Sequence, residues 1–477
     1  MTGACDLAIV GGGTAGLIAA KTAASLGARV VLVERDRTGG DCLWTGCVPS
    51  KSLIAAAQTA HRIRTASRFG IEPAEPKVDF AAVMAHVRRA ITRIEPADSP
   101  ATLTAAGVEV RRGHAVFTGP RELRIDGEPL RFRHAVLATG SAPAVPHVRG
   151  LAEVEPLTSE TVWELAELPG RLAVLGGGPI GCELGQAFAR LGSDVTILEA
   201  TGRLIPREEP QAGIALAATL ALEGVPVLTS TTVTGVLQHD GAIRLELDGP
   251  RGVGPLEVDR VLVATGRQPR STGLGLDAAG VRVDERGSVV VDAKLRTSNR
   301  AIYAAGDVTG ALPFTHVAGM HGSIAATNAL LAPVRRIDHD GIPWVTFTDP
   351  EIAHVGLTET DARRRHRDVR VRLLEHEHVD RAVTENATDG FTHIVLDGQD
   401  RVLGATIVAP RAGEMIAELA GLVARQGRLR DLASVVHPYP AWSDGVWNAA
   451  LAEADDALGS PAMRRLTGAL LRLRRAR

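Results

Sequence analysis

The chain repeats one short pattern: an apolar run, a glycine-rich loop, a helical stretch and a second apolar run that ends at a glutamate. The first copy covers residues 6–34 and the second covers residues 171–199 of the 477 residues. A strand, a tight glycine turn, a helix and a second strand make up the dinucleotide-binding unit of a Rossmann-like fold. The two copies therefore predict an α/β fold with two dinucleotide-binding domains.

Each copy also has the residue types that a pyrophosphate site requires. The glycines allow a tight turn and a close approach of the backbone to the phosphates, and the helix N-terminus stabilises the phosphate charge. The glutamate lies 18 positions after the last glycine in both copies and accepts hydrogen bonds from ribose hydroxyls. The predicted contacts are Gly11, Gly13, Gly16 and Glu34 in the first copy and Gly176, Gly178, Gly181 and Glu199 in the second. Glycine turns without a ligand are the alternative.

A second duplicated segment follows each copy and contains Ala-Thr-Gly. The two segments, 135–143 and 260–269, resemble the ends of duplicated strands. Between 282 and 308 apolar and polar residues alternate, which is typical of strands, before an apolar strand that ends at Asp307. We include three residues of the duplicated segments among the cofactor contacts: Thr139, Gly140 and Gly266.

The pattern changes again near residue 342. Apolar and polar alternation there predicts antiparallel strands within 342–358, 389–397 and 401–409, and 413–427 predicts an amphipathic helix. These elements indicate a separate α+β domain after a stretch with proline and arginine. The predicted domains are 1–145 with 270–335 for the first dinucleotide, 146–269 for the second, an interface domain at 340–455 and a basic tail at 456–477.

The chemistry is predicted at Cys42 and Cys47, two of only four cysteines, in the segment GGDCLWTGCVPSK. An ideal helix separates residues five apart by roughly 8–9 Å between Cα atoms, whereas a disulfide needs less than about 7 Å. A bridge therefore requires a distorted turn, which Gly46 and Pro49 favour. Strained bridges are the easily reduced, catalytic ones. Two buried core thiols are the alternative.

Composition excludes several classes of function. A net charge of −2 and a pI near 6.7 provide no general attraction for nucleic acid or an anionic membrane. The opening MTGACDLAIVGGG lacks a basic region, so we expect no signal peptide, and no apolar run of the sequence reaches transmembrane length, so we expect no membrane span and a cytoplasmic location. Four cysteines in a reducing compartment favour redox or metal use. Metal is the weaker option because no second Cys/His pair accompanies Cys42 and Cys47.

The basic tail contains six arginines and no acid in 461–477, among leucines at roughly helical spacing. Such a segment can contact an acidic surface or membrane headgroups. A solvated helix is the prediction that we favour.

The two dinucleotide units, the CxxxxC pair after the first unit and the C-terminal α+β domain together resemble the pyridine nucleotide class of flavoprotein disulfide reductases. Dihydrolipoamide dehydrogenase, glutathione reductase and mercuric reductase belong to this family. The resemblance covers about residues 5–455. It implies FAD in the first dinucleotide repeat and NAD(P)H in the second repeat. It also implies a homodimer in which the C-terminal domain completes the partner's site.

The resemblance also implies roles for single residues. Cys47 resembles the thiol beside the flavin, with a lowered pKa, and Cys42 resembles the interchange thiol that attacks substrate. Lys51 and Glu183 resemble an ion pair beside the flavin N5. The implied FAD contacts are Gly11, Gly13, Gly16 and Glu34 for the pyrophosphate and ribose, Ala115 for the adenine and Asp307 for the ribityl chain.

The chain departs from its relatives near the C-terminus. Many relatives have HPTxSE, in which the histidine is a general base and the glutamate orients it, whereas this chain has HPYPAWSD at 437–444. Alignment on the proline places Tyr439 at the base position and Asp444 at the acid position, with His437 two residues upstream. A phenol with a pKa near 10 is a poor base at neutral pH, whereas an imidazole near 6.5 is well matched.

The sequence leaves the electron acceptor open among a small disulfide, a metal ion and a quinone-like compound. Mercuric reductases usually have a C-terminal cysteine pair, and no cysteine follows Cys182 here. Alternative functions are a dihydrolipoamide dehydrogenase, a metal reductase similar to mercuric reductase and a non-catalytic redox sensor. Glu199 favours NADH over NADPH because a carboxylate repels a 2′-phosphate, although Arg203 and Arg207 lie nearby in the sequence.

Overall fold

The structure is a computed structural model that describes residues 4–239, 241–250 and 254–476. The chain divides into two compact units, the first with residues 1–67, 72–202 and 223–338 and the second with residues 68–71, 203–222 and 339–477. The strands of the described residues are β1 Cys5–Val10, β2 Val30–Glu34, β3 Val108–Arg112, β4 Ala115–Gly119, β5 Glu122–Ile125, β6 Glu128–Leu137, β7 Ser141–Pro143, β8 Leu157–Thr158, β9 Arg171–Leu175, β10 Asp194–Leu198, β11 Val227–Leu228, β12 Thr232–His239, β13 Ala242–Asp248, β14 Leu256–Val258, β15 Arg260–Val263, β16 Arg267–Pro269, β17 Ile302–Ala304, β18 Pro343–Thr346, β19 Glu351–Gly356, β20 Val369–Glu375, β21 Phe391–Asp397 and β22 Val402–Ala409.

Helices cover the sheets and connect their strands. The α-helices of the described residues are α1 Thr14–Ser25, α2 Gly40–Trp44, α3 Cys47–Arg64, α4 Phe80–Ile94, α5 Pro100–Ala105, α6 Pro179–Leu191, α7 Pro210–Leu222, α8 Thr315–Leu330, α9 Glu359–Arg365, α10 Asp380–Thr384, α11 Ala412–Arg425, α12 Asp444–Leu458 and α13 Pro461–Arg475. None of these helices is long and apolar enough to cross a bilayer.

The first repeat forms the centre of a sheet in the first unit. Its strand order is β3-β2-β1-β6-β5-β4, and β17 also pairs with β6. β1 is parallel to β2 and to β6, with Leu7 opposite both Val30 and His134. Leu7 and Ile9 are buried because helices α1 and α8 pack together on their side of the sheet, whereas Ala8 is buried in the cluster of the other face with Phe117. The predicted strand, turn, helix and strand of the first repeat are confirmed.

The second repeat forms a separate parallel sheet in the same unit, with the order β11-β10-β9-β15-β8. The duplicated Ala-Thr-Gly segments meet in a short antiparallel ladder between β7 and β16, where Ser141 is opposite Pro269 and Pro143 is opposite Arg267. An antiparallel sheet of β12, β13 and β14 completes this part of the unit. Both glycine loops thus lie at the carboxyl ends of parallel strands, which is where such sheets bind ligands.

The second unit is built on an antiparallel sheet with the order β18-β19-β22-β21-β20. Helix α11 packs against β19 and β22, and α12 packs against β20 and β21. The core between helices and sheet is apolar, with Ile394, Ile407 and Leu419 fully buried. The predicted α+β character and the amphipathic helix of this region are confirmed. β20 was not predicted, because its sequence VRVRLLE is flanked by charged residues that hide the alternation.

One strand prediction is wrong. Residues 282–300 alternate in polarity but form turns, joined by isolated bridges such as that between Val283 and Val289. The carboxylate of Asp284 accepts from the backbone N–H groups of Arg286 and Ser288, and Asp292 makes the same kind of turn further along. These side-chain bonds give the backbone an alternative to a strand ladder.

Candidate active site

The two cysteines of the glycine-rich segment lie at a break between two helices. Cys42 belongs to α2, and Cys47 is the first residue of α3. Thr45 and Gly46 separate the helices, and Gly46 has φ −118° and ψ −109°, outside the helical region. The predicted distorted turn is therefore present. Both cysteines are thiols in this structure.

The environment lowers the pKa of Cys47 to about 6. The largest cause is its hydrogen bond with the Cys42 thiol. The Thr315 hydroxyl, at 3.2 Å from the sulfur, and the Lys51 ammonium also lower this pKa, whereas desolvation by burial raises it. The position at the N-terminus of α3 also favours a thiolate. The same hydrogen bond, together with burial, raises the pKa of Cys42. At neutral pH the pair therefore holds one thiolate, on Cys47, and one proton, on Cys42.

An ion pair lies one helical turn beyond Cys47. The Lys51 Nζ is 2.8 Å from the Glu183 carboxylate, which joins α3 to the helix of the second repeat. The Glu183 side chain is only 7% exposed. An unpaired charge is costly to bury, so the buried Glu183 carboxylate requires a cationic partner. The pair therefore holds the positive charge of Lys51 near the thiols.

The segment that carries Cys42 is held by residues distant in the sequence. Asp41 forms ion pairs with Arg267 and Arg270, which lie in or next to β16. The Trp163 indole N–H donates to the Thr45 carbonyl at 2.9 Å. These contacts were missed by the sequence reasoning, because no local pattern shows that residues more than a hundred positions apart meet.

The first glycine loop has the shape of a phosphate cradle. Gly11 has φ +108°, and a Cβ there would overlap the carbonyl oxygen of Ala138; a Cβ on Gly16 would overlap that of Gly11. α1 begins after Gly13 with no side-chain cap and no acid in its described first turn. Its first N–H groups thus remain available to an anion. Glu34 accepts from the Gly12 N–H at 2.6 Å, which ties the second strand to the loop.

The second glycine loop repeats these features. A Cβ on Gly181 would overlap the Gly176 carbonyl oxygen, whereas a Cβ on Gly178 would meet no described atom within 4 Å. The first turn of α6, as described, has neither a side-chain cap nor an acid. Glu199 accepts from the N–H groups of Gly177 and Thr201, each at 2.6 Å. Open space over Gly178 and unpaired helix donors fit a dinucleotide pyrophosphate.

Several of the remaining predicted cofactor residues bond to the segments that follow the two repeats. Asp307 accepts from the Ser141 hydroxyl at 2.7 Å, and Arg267 lies 3.6 Å from the same carboxylate. Thr139 donates to the Arg270 carbonyl at 2.7 Å, and the Arg270 N–H donates to Gly140. The other two predicted contacts lie at the start of β4 and just before β16: Ala115 and Gly266.

The C-terminal candidates lie in the second unit, where their pairing differs from the expectation. Tyr439 donates to Asp380 rather than to Asp444, and Asp444 accepts from the Ala441 N–H at 3.0 Å. The base-and-acid pair of Tyr439 and Asp444 is thus not formed. Asp380 raises the pKa of the phenol further, which makes Tyr439 a still weaker base.

His437 has an acidic partner that the sequence did not indicate. Its Nε2 lies 3.0 Å from both carboxylate oxygens of Glu418 on α11, and its Nδ1 lies 2.9 Å from the Val435 carbonyl. The ring stacks on Trp447 with 5.5 Å between centroids. Burial lowers the pKa of His437, but the Glu418 and Val435 hydrogen bonds outweigh it, and the net pKa is raised.

Comparison with known proteins identifies this arrangement. The sequence pattern described as "Pyridine nucleotide-disulphide oxidoreductase" matches residues 5–322, and the pattern of the dimerisation domain of these enzymes matches residues 342–450. The chain belongs to the pyridine nucleotide-disulphide oxidoreductase family. This membership confirms the predicted fold class, with its C-terminal dimerisation domain, and an enzyme that contains FAD and uses NAD(P)H.

Individual relatives differ in the substrate that their names state. A mercuric reductase of Streptomyces lividans is 40% identical over 441 residues, which are 91% of this chain and 93% of that protein. A dihydrolipoyl dehydrogenase of Thermus scotoductus is 37% identical over 450 residues, 93% of this chain and 96% of that protein. A solved structure of the Cu(II) complex of the HOCl-induced flavoprotein disulfide reductase RclA from Escherichia coli has a TM-score of 0.84 and 29% identity, and covers 94% of this chain and 100% of that chain.

Proposed function

We propose that the protein takes a hydride from NAD(P)H and delivers two electrons through Cys42 and Cys47 to a small acceptor. FAD, when bound, supplies the step between nicotinamide and the cysteine pair. The observation that carries the proposal is the asymmetric pair, in which Cys47 has a pKa of about 6 and the pKa of Cys42 is raised. The residues proposed to hold FAD are Gly11, Gly13, Gly16, Glu34, Lys51, Ala115, Thr139, Gly140 and Asp307, and those proposed for NAD(P)H are Gly176, Gly178, Gly181, Glu199 and Gly266.

The two thiols take different roles. Reduction of the bridge breaks one S–S bond with two electrons, leaves the Cys47 sulfur as a thiolate, and places one proton on Cys42. When Cys42 loses that proton, its thiolate attacks the acceptor. If the acceptor is a disulfide, this attack breaks its S–S bond, forms a mixed disulfide on Cys42 and releases the first product thiol with the proton that Cys42 lost. The Cys47 thiolate then attacks the Cys42 sulfur, forms the bridge again and releases the second product as a thiolate. The Lys51 ammonium, which lowers the pKa of Cys47, stabilises the negative charge on that sulfur between these steps.

Anaerobic reduction with NADH tests this assignment. The wild-type holoenzyme should gain the long-wavelength absorbance that a thiolate beside an oxidised flavin gives, and Cys47→Ser should abolish both this absorbance and acceptor turnover. Cys5→Ser is the matched control, because Cys5 is a buried thiol of β1 with a pKa raised by burial. Unchanged spectra and turnover in Cys47→Ser would contradict the proposal.

We propose NADH as the preferred nucleotide. Glu199 contacts the second loop through the Gly177 N–H and also accepts from the Thr201 N–H, and a carboxylate at this position repels a 2′-phosphate. Arg203 donates to the Pro206 and Glu208 carbonyls at 2.7 and 3.1 Å, so its guanidinium already has backbone partners. A lower KM for NADPH than for NADH would overturn this preference, and Glu199→Gln should narrow the difference between the two nucleotides.

For the acceptor, relatives point to a thiophilic metal ion or a small disulfide. Relatives named mercuric reductase are 34% to 40% identical to this chain, and a similar solved structure is a Cu(II) complex. The described residues contain no cluster of three or more His, Cys, Asp or Glu that could hold a metal ion, which leaves the cysteine pair as the proposed contact. Turnover with NADH and, in turn, Hg²⁺, Cu²⁺, low-molecular-weight disulfides and quinones identifies the class.

A dihydrolipoamide dehydrogenase is the second candidate function. The observation that favours it is the hydrogen-bonded pair of His437 and Glu418, since thiol–disulfide exchange requires a group that takes up and returns the thiol proton. A relative of this name covers almost the whole chain. Negligible NAD⁺-dependent oxidation of dihydrolipoamide, with normal turnover of another acceptor, would exclude this candidate.

We also propose a homodimer, supported by the match to the dimerisation domain at 342–450. Light scattering of the purified holoenzyme tests it, and a mass of one chain would contradict it. The cytoplasmic location stays a prediction.

A further inference from the structure

The last helix of the chain, α13, lies beyond the residues that the family patterns match, which end at 450. It runs over Pro461–Arg475 and begins after Ser460, whose hydroxyl accepts from the Met463 N–H at 3.4 Å. Its described residues include no buried side chain. A helix that packs into no core needs another source of stability, because isolated helices of this length are marginal in water.

One face of α13 is apolar. Met463, Leu466, Leu470 and Leu473 follow the spacing of three and four residues that places side chains on a single stripe. The three leucines are between 52% and 67% exposed. The stripe is therefore a leucine surface that its own unit leaves in contact with water.

The rest of α13 is cationic. Arg465 and Arg474 flank the apolar stripe on opposite sides, and Arg464, Arg472 and Arg475 lie on the far face at 100° per residue. Residues 461–477 contain six arginines and no acid, so the remainder of the chain, at a net total of −2, has a formal charge of −8. No ion pair joins these arginines to a carboxylate within the described part of the chain.

We propose that α13 binds in the plane of an anionic bilayer surface, with the leucine stripe in the acyl boundary and the arginines on lipid phosphates. Leucines that match no pocket suit acyl chains, which require no shape complementarity. The flanking arginines reach headgroups while the stripe is inserted. Charge complementarity selects anionic lipids, and the absence of acids from the segment removes repulsion. This binding is independent of the proposed redox chemistry.

Sedimentation of the holoenzyme with vesicles tests the proposal. We expect binding to vesicles of phosphatidylcholine with phosphatidylglycerol, weak binding to pure phosphatidylcholine, and loss of binding as salt screens the charges. Arg465→Glu with Arg474→Glu should reduce the bound fraction roughly tenfold or more, and Leu466→Gln with Leu470→Gln and Leu473→Gln should do the same. NADH-dependent turnover without vesicles should be unchanged in both.

The matched control is Arg282→Glu with Arg286→Glu, which changes the net charge equally at two exposed arginines of the first unit. It should bind vesicles almost as well as the wild type. Equal loss of binding in this control would show a general charge effect and overturn the proposal. So would wild-type binding that the α13 substitutions leave intact, or no binding at all. A lipid-free change of oligomeric mass in the leucine variant, with vesicle binding retained, would assign the stripe to a second copy instead and also overturn it.

Discussion

At the scale of single residues, the charge on Cys47 depends on two neighbours from its own segment and one from a distant helix. Cys42 donates the strongest hydrogen bond, the Thr315 hydroxyl adds a second, and Lys51 adds a positive charge. The thiolate is the reactive form of a cysteine. Because the pKa of Cys47 is about 6, this sulfur is a thiolate above that pH and a neutral thiol below it.

Thr315→Val removes one of these hydrogen bonds while it keeps the side-chain shape. We expect the pKa of Cys47 to rise toward its ordinary value, and the thiolate fraction of the reduced enzyme at pH 6 to fall roughly threefold. The measurement is the ultraviolet thiolate absorbance of the reduced protein against pH. Thr327→Val on the same helix is the control, because its hydroxyl donates to the Ser323 carbonyl instead. Identical titrations for both variants would contradict the assignment.

Glu418→Gln tests the proposed proton carrier. The net pKa of His437 is raised, so the imidazolium forms at a higher pH in the folded protein than in the unfolded chain. The substitution should lower this pKa, as followed by an NMR titration of the ring. A base whose pKa is raised by folding stabilises the folded protein below its unfolded pKa, and this contribution is lost as pH rises through the folded pKa. The variant should therefore lose stability at acidic pH but not at alkaline pH. Glu414→Gln, an exposed residue of the same helix, should leave the titration unchanged.

The residue pairs were the part of the site that sequence could not supply. Motif spacing indicated Cys42 and Cys47 and predicted the break between them, because glycine and proline act on the local backbone. The alignment of Tyr439 with Asp444 failed to predict the contact of Tyr439 with Asp380. Contacts between distant residues depend on how elements pack, which a local pattern does not contain.

At the scale of elements, the two glycine loops separate structural from ligand-facing positions. A Cβ on Gly181 would overlap the Gly176 carbonyl oxygen, whereas a Cβ on Gly178 would meet no described atom within 4 Å. A side chain at Gly181 would therefore disturb the packing of the loop, whereas a side chain at Gly178 would only fill the open space above it.

Two alanine substitutions test this separation. Gly181→Ala should lower the thermal midpoint, because helix α6 must move away from the loop, with a cost of about 1–3 kcal/mol. Gly178→Ala should leave the midpoint nearly unchanged and raise the KM for NADH. Both quantities can be measured on the holoenzyme. Equal losses of stability in the two variants would contradict this separation, and an unchanged KM for NADH in Gly178→Ala would show that the space over Gly178 is not a nucleotide site.

Elements with a strong local sequence pattern were predicted well. The alternation of polarity alone failed twice, because it predicted a strand that does not form and missed a strand that does. Both repeats and the helix α11 combine periodicity with glycine punctuation. Residues 282–300 have strand alternation, but their aspartates close turns. β20 is flanked by charged residues in the sequence, and its strand conformation depends on antiparallel pairing with β21. That pairing forms only in the assembled sheet.

At the scale of the whole molecule, stability depends on buried groups of the second unit. Burial raises the pKa of Glu208 to about 7, and its Oε1 accepts from the Trp344 indole at 2.5 Å. Burial also lowers the pKa of His354 and of His376 to about 4. An acid that binds its proton more tightly when folded loses stability as pH rises from its unfolded to its folded pKa. The two histidines have the opposite slope, since each must remain neutral when buried.

Glu208→Gln should separate these contributions. The amide keeps an acceptor for Trp344 without a buried charge, so we expect the variant to be more stable than the wild type by about 3 kcal/mol above pH 7, and equal to it below pH 4.5. Chemical unfolding at several pH values measures the difference. Glu257→Gln, a partly exposed residue of β14, should show no such dependence. A constant difference between wild type and Glu208→Gln at every pH would contradict the assignment.

The contacts that hold the Cys42 segment limit how far this enzyme can be simplified. Arg267 and Trp163, which bind Asp41 and the Thr45 carbonyl, both belong to the stretch that contains the second repeat. A minimal flavoprotein made by excising that stretch would keep both cysteines and the first glycine loop but lose the groups that fix the helix break between the thiols. The two repeats look alike in the sequence, but the segment with the two cysteines depends on contacts from the stretches that contain each of them.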